Sequence, residues 1–155
     1  MPISHMEHFL LQTEDIEATK DWYVKILGFR VGPAPDFKFP VYWLYLGDRD
    51  VLHITTGGKN VSENRKKYVG QQSEASTGTG VIDYIGFRTT GLHEMIEHLT
   101  KNKINFTERQ VNDQGLYQLF LFDPNGVKIE LNFANAEAKG RTPGLKASEL
   151  ITATN

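Results

Sequence analysis

Four polar residues occur as two pairs that repeat along the chain. Tyr84 follows His8 by 76 residues, and Glu130 follows His53 by 77 residues. Apolar residues alternate with polar ones around these positions, at Phe9, Leu11, Leu52, Ile54, Ile85, Phe87, Ile129 and Leu131. Because side chains of a β-strand point alternately to opposite faces, the four polar groups face away from the apolar core. Imidazole, phenol and carboxylate groups on one face predict a concave binding site rather than a packed interior.

The composition limits the chemistry that such a site can use. The chain has no cysteine, which excludes disulfides, thiolate zinc sites, iron–sulfur clusters and a cysteine nucleophile. Any bound metal therefore needs His, Asp, Glu or backbone oxygen ligands. The formal net charge is −2 and the basic residues form no long run, so we do not expect nucleic acid as a partner.

The chain also lacks the features of a membrane or exported protein. No apolar run reaches the ~20 residues that span a bilayer. The first residues, MPISHMEHF, do not have the basic and then apolar composition of a signal peptide. We therefore expect a cytoplasmic protein without a membrane partner.

The order of the predicted elements repeats as well. Alternating polarity predicts a strand over residues 3–12, and the capping residues 13–15 predict a helix that ends at Gly28. Further β-rich runs follow at 29–31, 41–46 and 50–56. Together these elements form a βαβββ module over residues 1–56.

A second module has the same order over residues 81–133. An alternating run at 81–88 is followed by apolar residues at helical spacing, Leu92, Met95, Ile96 and Leu99. Three more strands are predicted at 105–107, 117–122 and 127–133. Between the modules, residues 57–80 are polar and rich in Gly, Ser and Thr, which predicts a connecting loop. Residues 134–155 are small and polar, which predicts a flexible C-terminal arm. The expected fold is α+β, with two tandem βαβββ modules in one domain.

Three sequence blocks resemble those of the vicinal-oxygen-chelate superfamily, which includes glyoxalases, bleomycin-resistance proteins and extradiol dioxygenases. They are Met6–Phe9 with Asp15, Asp21–Tyr23 with Leu27–Phe29, and Leu121–Leu131 with its Asp-Pro-Asn-Gly turn. The resemblance covers about residues 3–133. It implies that the two sheets form a cup around one site, with the helices outside. It also implies that metal ligands come from the first and last strand of each module.

Carried over residue by residue, the resemblance implies that His8, His53 and Glu130 bind a metal ion. Tyr84 departs from the family pattern, because most metal-dependent relatives have a stronger ligand there and neutral tyrosine has a pKa near 10. Tyr84 could ligate a metal that lowers its pKa, or donate a hydrogen bond to substrate. In catechol-cleaving relatives a histidine at the position of His53 serves as an acid or base. The resemblance therefore makes His53 and Tyr84 candidate catalytic groups.

Two imidazoles and one carboxylate leave open positions on a metal, as in non-heme iron oxygenases. We therefore expect a metal-dependent enzyme that binds Fe(II) and resembles extradiol dioxygenases, acting on a small catechol-like aromatic compound. The same ligands could hold Mn²⁺, Zn²⁺ or Ni²⁺ in a glyoxalase-type lyase or isomerase that stabilises an enediolate. A metal-free binding or resistance protein is the third alternative.

The residues around these positions predict the pocket and the assembly. An aromatic block that includes Trp43 and Tyr45 precedes His53, and it either lines a substrate pocket or simply packs within its strand. In the second module Phe120 is a candidate wall residue, while Lys128 or Arg88 could pair with an anionic substrate group. We expect a homodimer, in which one chain or two chains could form each site.

Overall fold

The computed structural model describes residues 5–59, 61–70, 74–80, 82–111, 115–143 and 145–146. The chain divides into two compact units, Met1–Thr77 and Gly78–Asn155. Each unit contains one mixed sheet and its own helices. Among the described residues, no helix is long and apolar enough to cross a membrane.

The first unit forms a four-stranded sheet. Its elements are β1 (Phe9–Thr13), α1 (Ile16–Leu27), β2 (Arg30–Gly32), β3 (Val41–Leu46), β4 (Arg49–Thr56) and α2 (Glu63–Val69). The strand order is β1-β4-β3-β2; β1 runs parallel to β4 and the other pairs are antiparallel. Helix α1 begins where the Asp15 carboxylate accepts a 2.9 Å hydrogen bond from the Ala18 amide. It ends at Gly28, whose φ of 73° favours glycine.

The core of the first unit lies between α1 and one face of this sheet. Tyr23 and Ile26 of α1 are buried, as are Leu44 of β3 and Leu52 and Ile54 of β4. The predicted core positions Leu52 and Ile54 are therefore confirmed. Since His53 stands between Leu52 and Ile54, its side chain points to the sheet face opposite this core.

Helix α2 lies within residues 57–80, whose polar, Gly-, Ser- and Thr-rich composition predicts a connecting loop. Ser62 caps it by accepting a 3.3 Å hydrogen bond from the Arg65 amide. The helix has only seven residues, and its one buried residue is Arg65 rather than an apolar side chain. An apolar helical period is therefore missing, which explains why sequence reasoning did not find the helix.

The second unit repeats the first with additions at its end. Its elements are β5 (Tyr84–Arg88), α3 (Leu92–Lys101), β6 (Phe106–Val111), β7 (Leu116–Phe122), β8 (Lys128–Ala134), a 3-10 helix (Asn135–Ala138) and β9 (Leu145–Lys146). The strand order is β5-β8-β7-β6-β9, with β5 parallel to β8.

The strand registers of the two sheets correspond. Leu10 lies opposite His53 in the first sheet, and Gly86 lies opposite Glu130 in the second. Trp43 and Phe120 are the antiparallel partners of the same two residues. These matching pairs confirm the α+β prediction of two tandem βαβββ modules.

Part of the predicted C-terminal arm is regular structure. Strand β9 pairs with β6, and Glu137 of the 3-10 helix accepts hydrogen bonds from the amides of Gly91 and Leu92 at 2.7 and 3.1 Å. The arm therefore caps helix α3, whose own N-cap residue is a glycine without a capping side chain. Residues 144 and 147–155 of the predicted arm lie outside the described residues, as do residues 3–4 of the predicted first strand.

Candidate metal centre and ligand pocket

His8, Asp50 and His53 form a group within the first unit that could hold a metal ion. Each offers one ligand atom, and these atoms lie within 4.8 Å of one another. His53 comes from β4, Asp50 from the start of the same strand, and His8 directly precedes β1. Asp50 Oδ2 lies 2.9 Å from His53 Nε2. The parallel pairing of β1 with β4 thus brings His8 to residues that are more than forty positions away in sequence.

The donor set and its spacing fit a divalent cation. Ligand atoms bound at ~2.1 Å on neighbouring octahedral positions lie about 3 Å apart, close to the separation of Asp50 and His53. Burial lowers the pKa of His53, so its imidazole is neutral at pH 7 and retains a lone pair. The hydrogen bond from His53 lowers the pKa of Asp50, which keeps its carboxylate charged. A neutral imidazole and an ionised carboxylate are the states that metal binding requires, and an ion bound by His53 Nε2 and Asp50 Oδ2 would replace the hydrogen bond between them.

Ring stacking fixes the plane of the His53 imidazole. The His8 ring lies on one side with a centroid distance of 3.9 Å and an interplanar angle of 23°. Trp43, the partner of His53 across β3 and β4, stacks on it at 4.2 Å and 0°. His8 Nδ1 lies 3.2 Å from Glu7 Oε2. His8 and Trp43 therefore restrict the orientation of the His53 ring.

A pocket of about 470 Å³ opens beside this group, within the first unit. His8, Asp50 and His53 line it together with four aromatic residues, Phe37, Phe39, Trp43 and Tyr68. Trp43, predicted as a pocket residue, is thus in the lining. We call these four residues the aromatic wall. The pocket combines polar groups in one place with a broad apolar surface, as small-molecule sites commonly do.

Tyr45, predicted as a second pocket residue on β3, lies against β2 instead. Its hydroxyl donates a 2.7 Å hydrogen bond to the Pro33 carbonyl, and the Arg30 guanidinium lies 5.0 Å from its ring centroid. The ring covers Gly32, where an added Cβ would be 2.5 Å from it. The pairing of β3 with β4 shifts between Leu44 and Tyr45. The extra residue of this irregularity lies in β4 rather than β3, so contacts at and beside β2, and not strand parity, determine where the Tyr45 ring lies.

Glu130, the third predicted metal ligand, belongs to the second unit. It is 7% exposed on β8, and its Oε1 accepts a 2.5 Å hydrogen bond from Asn132 Nδ2. Gln118 Nε2 donates to Asn132 Oδ1 at 3.0 Å. A Cβ at Gly86 would lie 3.5 Å from Glu130 Oε1, an ordinary van der Waals contact, so Gly86 lies directly beside the carboxylate. The ligand role of Glu130 stays a prediction.

The other predicted residues of the second unit surround Tyr84. Its ring is 44% exposed and meets Phe120 edge-on at 6.0 Å. Lys128 Nζ lies 5.7 Å from the Tyr84 ring centroid and 2.5 Å from Asp83 Oδ2, so its charge already has a carboxylate partner. Arg88 is exposed at the end of β5. Tyr84 therefore stands in a half-exposed cluster with one aromatic and one cationic neighbour.

Asp50 is the site residue that sequence reasoning missed. It precedes His53 by three residues, and in a regular strand an odd separation places two side chains on opposite faces. The pairing of β4 with β3 skips Val51, so Asp50 pairs with Tyr45 and the irregularity lies in β4 itself, between Asp50 and His53. The sequence offers one signal, an acidic residue close to His53. Strand parity predicts that this residue and His53 lie on opposite faces of the sheet, and so argues against a shared site.

Solved structures with the same fold include proteins of several kinds. An integron cassette protein, VCH_CASS1, from the mobile metagenome of V. cholerae is 21% identical, with a TM-score of 0.62 over 86% of this chain and 97% of that one. The antibiotic binding protein TnmS3 from Streptomyces sp. CB03234 is 20% identical, with a TM-score of 0.59 over 86% and 98%. Lactoylglutathione lyase from Agrobacterium tumefaciens is 14% identical, with a TM-score of 0.61 over 91% and 100%. At these identities the likeness shows the fold alone.

No curated protein matches the sequence. A sequence profile described as Glyoxalase/Bleomycin resistance protein/Dioxygenase superfamily matches residues 5–131, which is most of the chain and includes both modules. The tandem βαβββ architecture agrees with that match. The chain belongs to the glyoxalase/bleomycin resistance protein/dioxygenase superfamily.

Proposed function

We propose that this chain is a metal-dependent enzyme that binds a small molecule through neighbouring oxygen atoms. More specifically, we propose an oxygenase of the extradiol-dioxygenase type, which uses Fe(II) and acts on a catechol-like aromatic compound. The observation that carries the proposal is the His8, Asp50 and His53 group beside a pocket with an aromatic wall. Metal ligands and ring-binding surface adjoin one another, as a substrate with a ring and two adjacent oxygens requires.

Two imidazoles and one carboxylate would hold the metal. His8 and His53 supply the nitrogen ligands. Among the described residues, Asp50 is the carboxylate that groups with both imidazoles, and Glu130 is the carboxylate that family resemblance implies. If Glu130 is the ligand, Asp50 orients the His53 ring, in the way that outer carboxylates orient metal-bound histidines. When bound, a divalent metal supplies Lewis acidity to substrate oxygens, and iron adds dioxygen chemistry.

The remaining groups have roles that follow from their positions. Trp43 holds the His53 ring in place through stacking. Tyr84 is 44% exposed, and we propose that its hydroxyl group donates a hydrogen bond to a substrate oxygen. A glyoxalase-type lyase or isomerase would use the same ligand set with Mn²⁺, Zn²⁺ or Ni²⁺.

A second candidate function is metal-free binding of an aromatic compound. The aromatic wall favours it, since four rings offer apolar contact that needs no metal. The paired imidazoles favour the enzyme, because two nitrogen ligands and a carboxylate stand together beside the pocket, and one of them, His53, is buried.

Calorimetric titration with Fe²⁺, Mn²⁺, Zn²⁺ and Ni²⁺ tests the proposal. We expect at least one of these ions to bind stoichiometrically to the parent, and His8→Ala and His53→Ala to abolish binding. Asp50→Asn and Glu130→Gln identify the third ligand. Replacing the carboxylate that binds the metal should lower the metal affinity at least ~100-fold, whereas replacing one that only orients a histidine should lower it about 10- to 100-fold. His93→Ala, an exposed histidine of α3, is the matched control and should bind like the parent.

Oxygen consumption then separates the enzyme classes. The Fe²⁺-loaded parent should take up oxygen when a catechol is added, with formation of a ring-opened product. Substrate conversion without oxygen uptake would support the lyase or isomerase. Failure of the parent to bind any of the four metals would favour the binding protein.

A further inference from the structure

The aromatic wall continues the ring stack of the candidate metal group outwards. Trp43 stacks on His53, and the Phe37 centroid lies 6.2 Å from the Trp43 centroid. Phe37 in turn stacks with Phe39 at 5.4 Å and contacts Tyr68 at 4.9 Å. A line of rings therefore leads from the metal ligands to the rim of the pocket.

A turn around Lys38 positions the two phenylalanines. Lys38 has a φ of 59°, a conformation that is uncommon for residues with a side chain. Its amide donates to Asp36 Oδ1 at 3.3 Å, and its ammonium group pairs with the same carboxylate. Phe37 and Phe39 lie on either side of this residue, with their rings nearly parallel at 21°. A backbone conformation of this kind costs free energy and persists only where its surroundings stabilise it.

Helix α2 supplies that support and the fourth ring. Asn64 Nδ2 donates a 3.2 Å hydrogen bond to the Lys38 carbonyl. Arg65 is 3% exposed; its Nη1 donates to the Gly70 carbonyl at 2.9 Å and its Nη2 donates to Gln12 Oε1 at 3.2 Å. Asn64 thus ties α2 to the turn, and Arg65 ties it to β1. Tyr68, on the same helix, is 70% exposed although its ring contacts both phenylalanines.

We propose that the Lys38 turn and helix α2 form an aromatic clamp that binds a planar ring of the substrate. Phe37, Phe39 and Tyr68 determine this specificity, and Asn64 is the residue that positions them. The clamp gives the exposed Tyr68 ring a binding partner, and it places the substrate ring beside the metal group that would bind its oxygens. Only the placement of the substrate ring beside the metal group rests on the proposed function.

Two chelating probes separate ring binding from metal binding. 4-Nitrocatechol has adjacent oxygens on an aromatic ring, whereas acetohydroxamate has adjacent oxygens and no ring. In the metal-loaded protein, Tyr68→Ala and Phe37→Ala should weaken nitrocatechol binding about three- to tenfold, the range typical of one aromatic contact. The acetohydroxamate affinity should not change. Tyr68→Phe keeps the ring and should bind both probes like the parent.

Asn64→Ala tests the positioning role. It should lower the affinity for nitrocatechol and leave those for acetohydroxamate and for the metal unchanged, a split that a general loss of stability would not produce. Phe122, in the second unit, is 58% exposed, and Phe122→Ala therefore removes a comparably exposed ring. This control should leave the affinities for nitrocatechol and acetohydroxamate unchanged. Equal nitrocatechol affinities for Tyr68→Ala, Phe37→Ala and the parent would overturn the clamp.

A third probe keeps the clamp testable if the protein binds no metal. 2-Naphthol offers a planar ring and no adjacent oxygens. Calorimetry should detect its binding to the metal-free parent and a weaker binding to Tyr68→Ala. That result would support the clamp even where the metalloenzyme proposal has failed, and unchanged naphthol affinity in the variant would refute it.

Discussion

Glu137 offers a sharp test of how the C-terminal segment stabilises the second unit. Its carboxylate accepts hydrogen bonds from the Gly91 and Leu92 amides at the beginning of α3, and Gly91 cannot cap the helix itself. Loss of an N-cap costs about 0.5–2 kcal/mol. A negative charge at a helix N-terminus contributes a further ~0.3–1 kcal/mol. We therefore expect Glu137→Ala to lower the free energy of unfolding by about 1–3 kcal/mol.

Glu137→Gln separates the two contributions, because it keeps an oxygen acceptor and removes the charge. Its expected cost is only about 0.3–1 kcal/mol. Urea unfolding followed by circular dichroism measures both variants, and Glu97→Gln, an exposed carboxylate on the same helix, is the control. A Glu137→Ala protein within ~0.3 kcal/mol of the parent would refute the capping role.

Further predictions concern packing, titration and substrate contact. Gly32→Ala should destabilise the protein by about 1–3 kcal/mol, because its Cβ meets the Tyr45 ring, and adding Tyr45→Ala should recover part of that loss in a double-mutant cycle. Burial, followed by its hydrogen bond to Glu108, raises the pKa of Tyr117 to about 12. The folded state therefore retains this proton above the unfolded pKa of 10.0, so stability falls as pH rises from about 10 to 12. Tyr117→Phe should remove that part of the decline, together with the latest step of the ultraviolet tyrosine titration. Tyr84→Phe should reduce catechol turnover about a hundredfold and leave metal content unchanged if Tyr84 contacts substrate, whereas loss of metal would make it a ligand.

Local signals account for the parts of the fold that the sequence predicted well. Helix α1 has a capping Asp15 and a terminal Gly28, and both signals act within one turn of the helix. Strict alternation around His53 and Glu130 located the two strands that carry them. The repeat then required the same order of elements twice, and the matching strand registers confirm it.

The features that sequence reasoning missed depend on contacts between distant segments. Helix α2 is held by Gln12 and Lys38 rather than by an apolar stripe of its own. Asp50 reaches His53 despite the odd spacing that separates them in a strand. Strand β9 exists because β6 offers it an edge. Each of these features requires the tertiary structure before its residues can be recognised.

Elemental analysis of the protein purified without chelator tests the central claim most directly. We expect a near-stoichiometric divalent metal in the parent, with iron as the leading candidate, and its loss in His8→Ala and His53→Ala proteins that still fold. A parent that contains no metal, and takes up none from added Fe²⁺, Mn²⁺, Zn²⁺ or Ni²⁺, would contradict the claim.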